Sequence, residues 1–89
     1  MRIAIVDDIH SERVLLHTRL EEQLTKRGVH ADLTEFENGE AFLKASRERP
    51  FTVLFLDIYM NGANGVEIAR ELRKSDPDCL LIFTTTSTD

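Results

Sequence analysis

Three aspartates stand directly after short apolar runs, where their carboxylates could form one acidic cluster. Residues 2–6 lead into Asp7 and Asp8, and residues 53–56 lead into Asp57. Unbroken aliphatic runs of this length are typical of parallel strands that are covered on both faces. Ligands of open parallel sheets bind beyond the carboxyl ends of the strands, where all three acids fall. The sequence therefore predicts an oxygen-rich site for a divalent cation, with one acid left to react.

Composition limits what else the chain can be. The chain has 89 residues, of which 42% are hydrophobic, and this predicts one small domain over residues 1–89. The formal net charge of −5 argues against direct contact with nucleic acid, because phosphate-binding domains usually carry a basic patch. No apolar run approaches membrane-spanning length, and the chain begins with a strand, so we predict neither a membrane segment nor a signal peptide. Cys79 is the single cysteine, which excludes an intrachain disulfide and indicates a reducing, cytoplasmic setting.

Hydrophobic patterning predicts alternating strands and helices. We expect strands near residues 2–7, 29–34, 51–56 and 80–83, and helices over residues 11–27, after Asn38 and after Asn64. This order requires right-handed crossovers and a mainly parallel α/β sheet. The second strand alternates polar and apolar residues and belongs at an edge, so the predicted strand order is 2-1-3-4. That order places the first and third strands side by side and brings the acids together.

Local signals predict how the helices begin, end and pack. Ser11 is the expected N-cap of the first helix, and Gly28 is its expected stop. One apolar stripe of that helix is predicted to face the sheet: Val14, Leu15, Leu16, Leu20 and Leu24. Arg13 falls largely off this stripe. The helix after Asn64 should bury Val66, Ala69 and Leu72, with Ile68 beside them. The phenylalanines are expected in the core: Phe36, Phe42, Phe51, Phe55 and Phe83.

The motifs resemble those of response-regulator receiver domains, the CheY-like and flavodoxin-like phosphoacceptor modules of two-component signalling. The matching segments are IVDD at 5–8, FENGEA at 36–41, LDIYM at 56–60, NGVE at 64–67 and the threonine-rich end of the fourth strand. The segments at 57–60 and 81–85 are similar to receivers of the LytR/AgrA type. A DNA-binding output domain for transcription regulation would then follow the receiver.

The resemblance implies a role for each acid. Asp57 would be the phosphoacceptor and would take its phosphoryl group from a sensor histidine kinase. Asp7 and Asp8 would hold Mg²⁺ directly or through water, together with Asp57 and the backbone carbonyl of Tyr59. Such a domain is a signalling module rather than an enzyme, with at most self-catalysed phosphorylation and dephosphorylation. Crowding of three carboxylates should raise the pKa of at least one of them when no cation is present.

The resemblance also implies a switch residue at the end of the fourth strand. A threonine there would hydrogen-bond a phosphoryl oxygen. We place this role at Thr85, although the run of threonines leaves Thr84 and Thr86 open as alternatives.

The sequence departs from the family pattern at its end. Receivers continue through a fourth helix, a fifth strand ending in a lysine, and a fifth helix, whereas this sequence stops at Asp89. We therefore expect a receiver that is truncated after the fourth strand. Its own lysines are remote from the position that the lysine of the fifth strand would occupy: Lys26, Lys44 and Lys74. Phosphorylation should be impaired, and the open edge of the fourth strand should promote self-association.

Two other functions remain as alternatives. A non-phosphorylated pseudo-receiver would use the same fold as an interaction module. A phosphohydrolase of the haloacid-dehalogenase kind would also use a strand-end aspartate and Mg²⁺, but it requires a second aspartate two residues later. That position is Tyr59, which argues against the hydrolase.

Overall fold

A four-stranded parallel sheet organises the chain. The computed structural model describes residues 1–60 and 63–84, with Ala63 described by its backbone alone. The elements in chain order are β1 Arg2–Val6, α1 His10–Lys26, β2 Asp32–Phe36, α2 Gly39–Glu48, β3 Val53–Asp57, β4 Tyr59–Met60, β5 Ala63–Asn64, α3 Gly65–Ser75 and β6 Leu80–Thr84. The sheet order is β2-β1-β3-β6, and β4 and β5 form a separate antiparallel pair. Because β6 is the fourth predicted strand, the predicted α/β class and the order 2-1-3-4 are confirmed.

The strand register aligns the carboxyl ends of the two central strands. Val6 of β1 is the partner of Leu56 of β3, so Asp7 and Asp57 both follow at the carboxyl ends of these strands. On the far side of β3, Asp57 is the partner of Thr84 in β6. The central position of β1 agrees with its burial, since residues 3–6 are all buried.

The helices α2 and α3 cover one face of the sheet and enclose the main core. That core contains Ala4 and Val6 of β1, Leu54 and Leu56 of β3, and residues from both helices. Three phenylalanines pack against one another, with ring centroids 5.7–5.8 Å apart: Phe42 and Phe51 within this core, and Phe36 against it. Edge-to-face pairs at this separation add to the stabilisation from area burial alone.

The helix α1 packs against β1 and β2 with a different face from the one predicted. Val14 and Leu15 are 41% and 45% exposed, whereas Arg13 is only 9% exposed. The inward face consists of Arg13, Leu16, His17, Leu20 and Leu24. These positions follow the helical spacing of three and four residues as well as the apolar stripe does. The placement of Val14, Leu15 and Arg13 was therefore wrong, because Arg13 finds buried hydrogen-bond acceptors that offset its desolvation.

Backbone hydrogen bonds set both ends of α1. The helix begins at His10 with Ile9 as its N-cap, so the prediction of Ser11 as the cap was wrong. The reason is that the amide of Arg13 already donates to the carbonyl of Ile9 at 3.0 Å and closes the first turn there. The predicted stop at Gly28 is confirmed by its φ of +67°.

The end of α1 explains why β2 lies later than predicted. The amide of Gly28 donates to Thr25 O at 3.1 Å, and the amide of Val29 donates to Leu24 O at 2.9 Å. This pair of bonds is a Schellman motif, which uses the residues after the helix to cap its last carbonyls. Residue 29 is therefore committed to the helix end, and β2 runs over Asp32–Phe36 instead of starting at residue 29.

Two further core predictions were wrong. Val66 is 39% exposed and Ile68 is only 6% exposed, because the inner face of α3 is centred on Ile68, Ala69 and Leu72. Phe83 on β6 is 43% exposed, since β6 lies at the edge of the sheet.

Over residues 1–60 and 63–84, the structure has no helix with the length and hydropathy needed to cross a membrane.

Candidate metal centre

The structure brings the three predicted aspartates together beyond β1 and β3. Asp7, Asp8 and Asp57 each offer one carboxylate oxygen, and these three oxygens lie within 4.8 Å of one another. The convergence follows from the sheet order, which places β1 next to β3 with their carboxyl ends aligned. The three acids come from two segments that are about fifty residues apart in the sequence.

The acids are shielded from solvent to different degrees. Asp57 is fully buried, Asp7 is 5% exposed, and Asp8 is half-buried. The amide of Ile9 donates to Asp7 Oδ1 at 2.9 Å, and the amide of Tyr59 donates to Asp57 Oδ1 at 3.2 Å. Each bond joins a carboxylate to the amide two residues later, which orients the side chain with respect to its own loop.

The environment raises the pKa of Asp7 above its ordinary value of 3.8. Burial is the largest cause, because it penalises the charged carboxylate. The hydrogen bond from Ile9 lowers the pKa, and the nearby charges of Asp57, Asp8 and Glu12 raise it. The prediction that one acid of the cluster has a raised pKa is confirmed, although the largest single cause is desolvation and not repulsion from any one neighbour.

The donor set fits a hard divalent cation. Carboxylate oxygens are the ligands that Mg²⁺ and Ca²⁺ prefer, and Mg²⁺ sites in proteins often use one or two carboxylates together with water and phosphate oxygens. A cation at this position would offset the cost of holding three acids within 4.8 Å of one another. The cluster is therefore a candidate metal centre, and Asp57 is its fully buried member.

The remaining predicted site residues are placed as follows. Tyr59 lies in β4 with 67% of its surface exposed, and its amide contacts Asp57. Thr84 ends β6 beside Asp57, and its carbonyl accepts from the amide of Ile58 at 3.2 Å. Thr85 and Thr86 lie outside the described residues.

A glycine allows α3 to approach the phosphoacceptor candidate. The amide of Gly65 donates to Ile58 O at 2.9 Å. A Cβ on Gly65 would collide with the carbonyl oxygen of Asp57 and would lie 2.9 Å from Ile58 Cα. Only glycine therefore permits this distance between the first turn of α3 and the loop that follows β3.

Lysines of the described chain lie away from the acids. Lys26 and Lys74 are in the last turns of α1 and α3. These turns lie at the opposite edge of the sheet, because each helix runs back against the strand direction. Lys74 Nζ bonds Glu71 Oε2 at 2.7 Å, and Lys44 lies within α2 with an exposed side chain.

Sequence reasoning missed the buried arginine beneath the cluster. Arg13 Nη1 donates to the backbone carbonyl of Asp7 at 2.8 Å, and its Nε donates to Glu35 at 3.3 Å. The available signal was its spacing, since Arg13 is in phase with Leu16 and Leu20 on the inward face of α1. The charge of Arg13 predicts a solvent-facing position, whereas its helical phase predicts a buried one, and the structure follows the helical phase.

The fold and the site together define a flavodoxin-like domain with an acidic pocket at the switch point of a doubly wound sheet. The chain belongs to the response regulator receiver domain family, whose sequence model matches residues 3–89. Receiver domains are the signalling modules of two-component systems, so the family resemblance is confirmed.

Known proteins with similar sequences and structures agree with this assignment. The response regulator receiver protein CpdR of Brucella abortus is 36% identical over 84 residues, which cover 94% of this chain and 65% of CpdR. The structure resembles response regulator TrrA of Thermotoga maritima in complex with Mg²⁺ and beryllium fluoride, with 34% identity, a TM-score of 0.83, and coverage of 98% of this chain and 70% of that one. TrrA in complex with histidine kinase ThkA gives 34% identity, a TM-score of 0.81, and coverage of 99% and 71%. The chain thus spans about two thirds of the length of these relatives.

Proposed function

We propose that this chain is the phosphoacceptor receiver of a two-component response regulator and that Asp57 accepts the phosphoryl group. The observation that carries the proposal is the convergence of Asp7, Asp8 and Asp57 within 4.8 Å, with Asp57 fully buried at the end of a central strand. A buried nucleophile beside two further acids is suited to phosphoryl transfer assisted by a cation.

Mg²⁺ is the proposed cofactor, held by Asp7, Asp8, Asp57 and the backbone carbonyl of Tyr59. The complex of TrrA with Mg²⁺ and beryllium fluoride supports this choice, because TrrA is 34% identical over nearly the whole chain. When bound, the cation supplies positive charge that offsets carboxylate repulsion and polarises the phosphoryl oxygens.

In the proposed reaction, a carboxylate oxygen of Asp57 attacks phosphorus in line. The bond between phosphorus and the kinase histidine breaks, the imidazole leaves with the electron pair and takes up a proton, and an acyl phosphate forms on Asp57. The amide of Tyr59 holds the carboxylate of Asp57 in one orientation. Transfer of charge onto this buried position is the signal.

A threonine at the end of β6 is the proposed switch. We assign the role to Thr85, with Thr84 and Thr86 as the alternatives along the same run. The strand register supports a switch within this threonine run, because Thr84 is the strand partner of Asp57. A hydroxyl near this position could bond a phosphoryl oxygen and connect phosphorylation to the exposed edge of β6.

The proposed partner is a sensor histidine kinase. The complex between TrrA and the histidine kinase ThkA supports this partner, because the structural similarity to that complex extends over 99% of this chain. We further propose a cytoplasmic location, no direct contact with nucleic acid by these residues, and a LytR/AgrA-type parent with a DNA-binding output. The net charge of −5 supports the absence of nucleic-acid contact.

We also propose that the chain associates with a second copy through β6. Three apolar side chains of this edge strand are exposed: Leu80 by 57%, Ile82 by 37% and Phe83 by 43%. An edge strand with apolar side chains offers both backbone hydrogen-bonding groups and hydrophobic surface to another chain.

Phosphorylation can be tested directly with acetyl phosphate and Mg²⁺. We expect mass spectrometry to find a phosphoryl group on Asp57 of the native chain and none in the Asp57→Asn variant. Asp78→Asn is the matched control, because Asp78 is an exposed aspartate in the turn before β6. This control should be modified as the native chain is.

The alternatives predict different results in the same experiment. Repeated rapid turnover of acetyl phosphate would favour a haloacid-dehalogenase-like phosphohydrolase. Absence of any modification, with or without Mg²⁺, would contradict the proposal and favour a pseudo-receiver that acts as an interaction module.

A further inference from the structure

We propose that Arg13 is a positioning residue for the metal centre: it holds the peptide between Asp7 and Asp8 so that both carboxylates converge with Asp57. This inference rests on the proposed function of the acid cluster and adds to it a residue on a different element. Arg13 touches neither the proposed cation nor the phosphoryl group, and it acts through the main chain.

The guanidinium of Arg13 is directed at the backbone beneath the cluster. Its side chain is only 10% exposed. Nη1 donates to the carbonyl oxygen of Asp7 at 2.8 Å, Nη2 donates to His10 Nδ1 at 3.1 Å, and Nε donates to Glu35 Oε1 at 3.3 Å. Because a guanidinium only donates, His10 Nδ1 must accept in this contact. All three nitrogens of the fork are therefore engaged, with three different segments of the chain.

The contact with Asp7 determines the direction of a peptide plane. The carbonyl of Asp7 belongs to the same planar unit as the amide and the Cα of Asp8. A buried hydrogen bond to that carbonyl thus fixes where the main chain of Asp8 begins. On the other side of the same loop, the amide of Ile9 donates to Asp7 Oδ1 at 2.9 Å. Together the two bonds hold the loop between β1 and α1 from both sides.

Glu35 and His17 hold the buried guanidinium of Arg13 in place, and Glu35 balances its charge. Glu35 on β2 bonds Arg13 through Oε1 and His17 through Oε2, the latter at 2.8 Å from His17 Nδ1. Since a carboxylate only accepts, His17 Nδ1 is the donor. The charge of Arg13 is therefore balanced by Glu35 on β2, and the arginine does not have to pair with the carboxylates of the metal centre.

Replacement of Arg13 by lysine distinguishes positioning of the main chain from simple compensation of the acids' charge. A lysine would keep the positive charge but could not reach three acceptors in the fixed planar geometry of a guanidinium. If Arg13 acted only by attracting the acids through space, lysine would replace it. If it acts by holding the Asp7 carbonyl while anchored to Glu35, lysine would not.

The test is titration of the folded apo chain with Mg²⁺ alone. We expect Arg13→Gln and Arg13→Lys both to weaken Mg²⁺ binding by about tenfold, the size typical of lost support for metal ligands. Arg19→Gln is the matched control, because Arg19 is an exposed arginine on the same helix, and its affinity should equal that of the native chain. Native affinity in Arg13→Lys would overturn the inference.

A readout without metal separates this inference from the proposed function. Hydrogen exchange of the Ile9 amide should become faster in Arg13→Lys than in the native chain, beyond any change in global stability measured by urea unfolding. If the native chain does not bind Mg²⁺, the proposed function fails, while the exchange of Ile9 still reports whether Arg13 holds the loop. Unchanged exchange in Arg13→Lys would overturn the positioning role, and this variant serves where Arg13→Gln does not fold.

Discussion

The buried carboxyl group of Asp7 connects site chemistry with stability at the scale of a single residue. Burial raises its pKa, and the neighbouring acids raise it further. The acid therefore binds a proton more readily in the folded chain than in the unfolded one. A cation would bind the charged form of Asp7. Burial of that charged form beside other acids therefore lowers the stability of the metal-free fold.

The pH dependence of this effect has a definite sign. Between the unfolded value near 3.8 and the raised folded pKa of Asp7, the folded chain holds more protons than the unfolded one. The contribution of Asp7 to the free energy of unfolding therefore falls as pH rises through that window, and it stays low above it. We expect Asp7→Asn to be more stable than the native chain at pH 7 without metal, and to lose this advantage below pH 3.8.

Urea unfolding at a series of pH values measures this difference. The same variant should bind Mg²⁺ more weakly, so saturating Mg²⁺ should narrow or reverse the difference in stability. Asp78→Asn is the control for loss of an exposed aspartate, and it should show neither effect. Equal stability of Asp7→Asn and the native chain across the whole pH range would contradict the prediction.

At the scale of elements, the close approach of α3 to the loop after β3 constrains the backbone near the site. Both α2 and α3 begin with a glycine, Gly39 and Gly65. The atoms nearest to a Cβ on Gly39 belong to the side chain of Ile68, whereas those nearest to a Cβ on Gly65 belong to the backbone of Asp57 and Ile58. A side chain can rotate away, but the backbone of a central strand cannot move without disturbing the sheet.

The two glycines therefore form a matched pair for mutation. We expect Gly65→Ala to lower the free energy of unfolding by about 1–3 kcal/mol, the usual cost of overpacking. Gly39→Ala should cost less, because Ile68 can move and alanine favours the helix. Urea unfolding measures both, and Mg²⁺ titration should show weaker binding only in Gly65→Ala. Equal losses of stability in the two variants would show that the contact with Asp57 is not the limiting one.

Element boundaries also show how far local signals reach. Asn38 and Asn64 cap α2 and α3 through local contacts, because Asn38 Oδ1 accepts from Ala41 N and Asn64 Oδ1 accepts from Val66 N, each at 2.8 Å. Gly28 ends α1 for an equally local reason, its positive φ. The start of β2 was missed, because the Schellman bonds after α1 and the pairing of Asp32 with Arg2 determine it together.

At the scale of the whole molecule, the two edges of the sheet differ in character. The β2 edge is polar and half-buried, with Asp32, Thr34 and Glu35 among its residues. The β6 edge exposes apolar side chains, and Leu80 and Ile82 share one face because strand residues alternate. An apolar edge of this kind favours pairing with another chain.

We therefore expect the chain to self-associate at micromolar concentration and Ile82→Lys to reduce the association strongly. A lysine on an edge strand opposes strand pairing through its charge and hydration. Val29→Lys is the control, because Val29 is 36% exposed and lies just after α1, away from β6. Sedimentation velocity over a range of concentrations distinguishes the variants. A native chain that stays monomeric throughout would contradict the prediction.

The sequence by itself determined the alternation of strands and helices, the sheet order, the end of the first helix at Gly28 and the convergence of the three aspartates. Each of these follows from periodicity, from local backbone preferences or from the general rule for parallel sheets. The tertiary structure alone decided which face of α1 is buried, that Phe83 is exposed and that Arg13 contacts the carbonyl of Asp7. Those outcomes depend on contacts between distant segments, as when Glu35 neutralises an arginine 22 residues earlier, and local patterns carry no information about such partners.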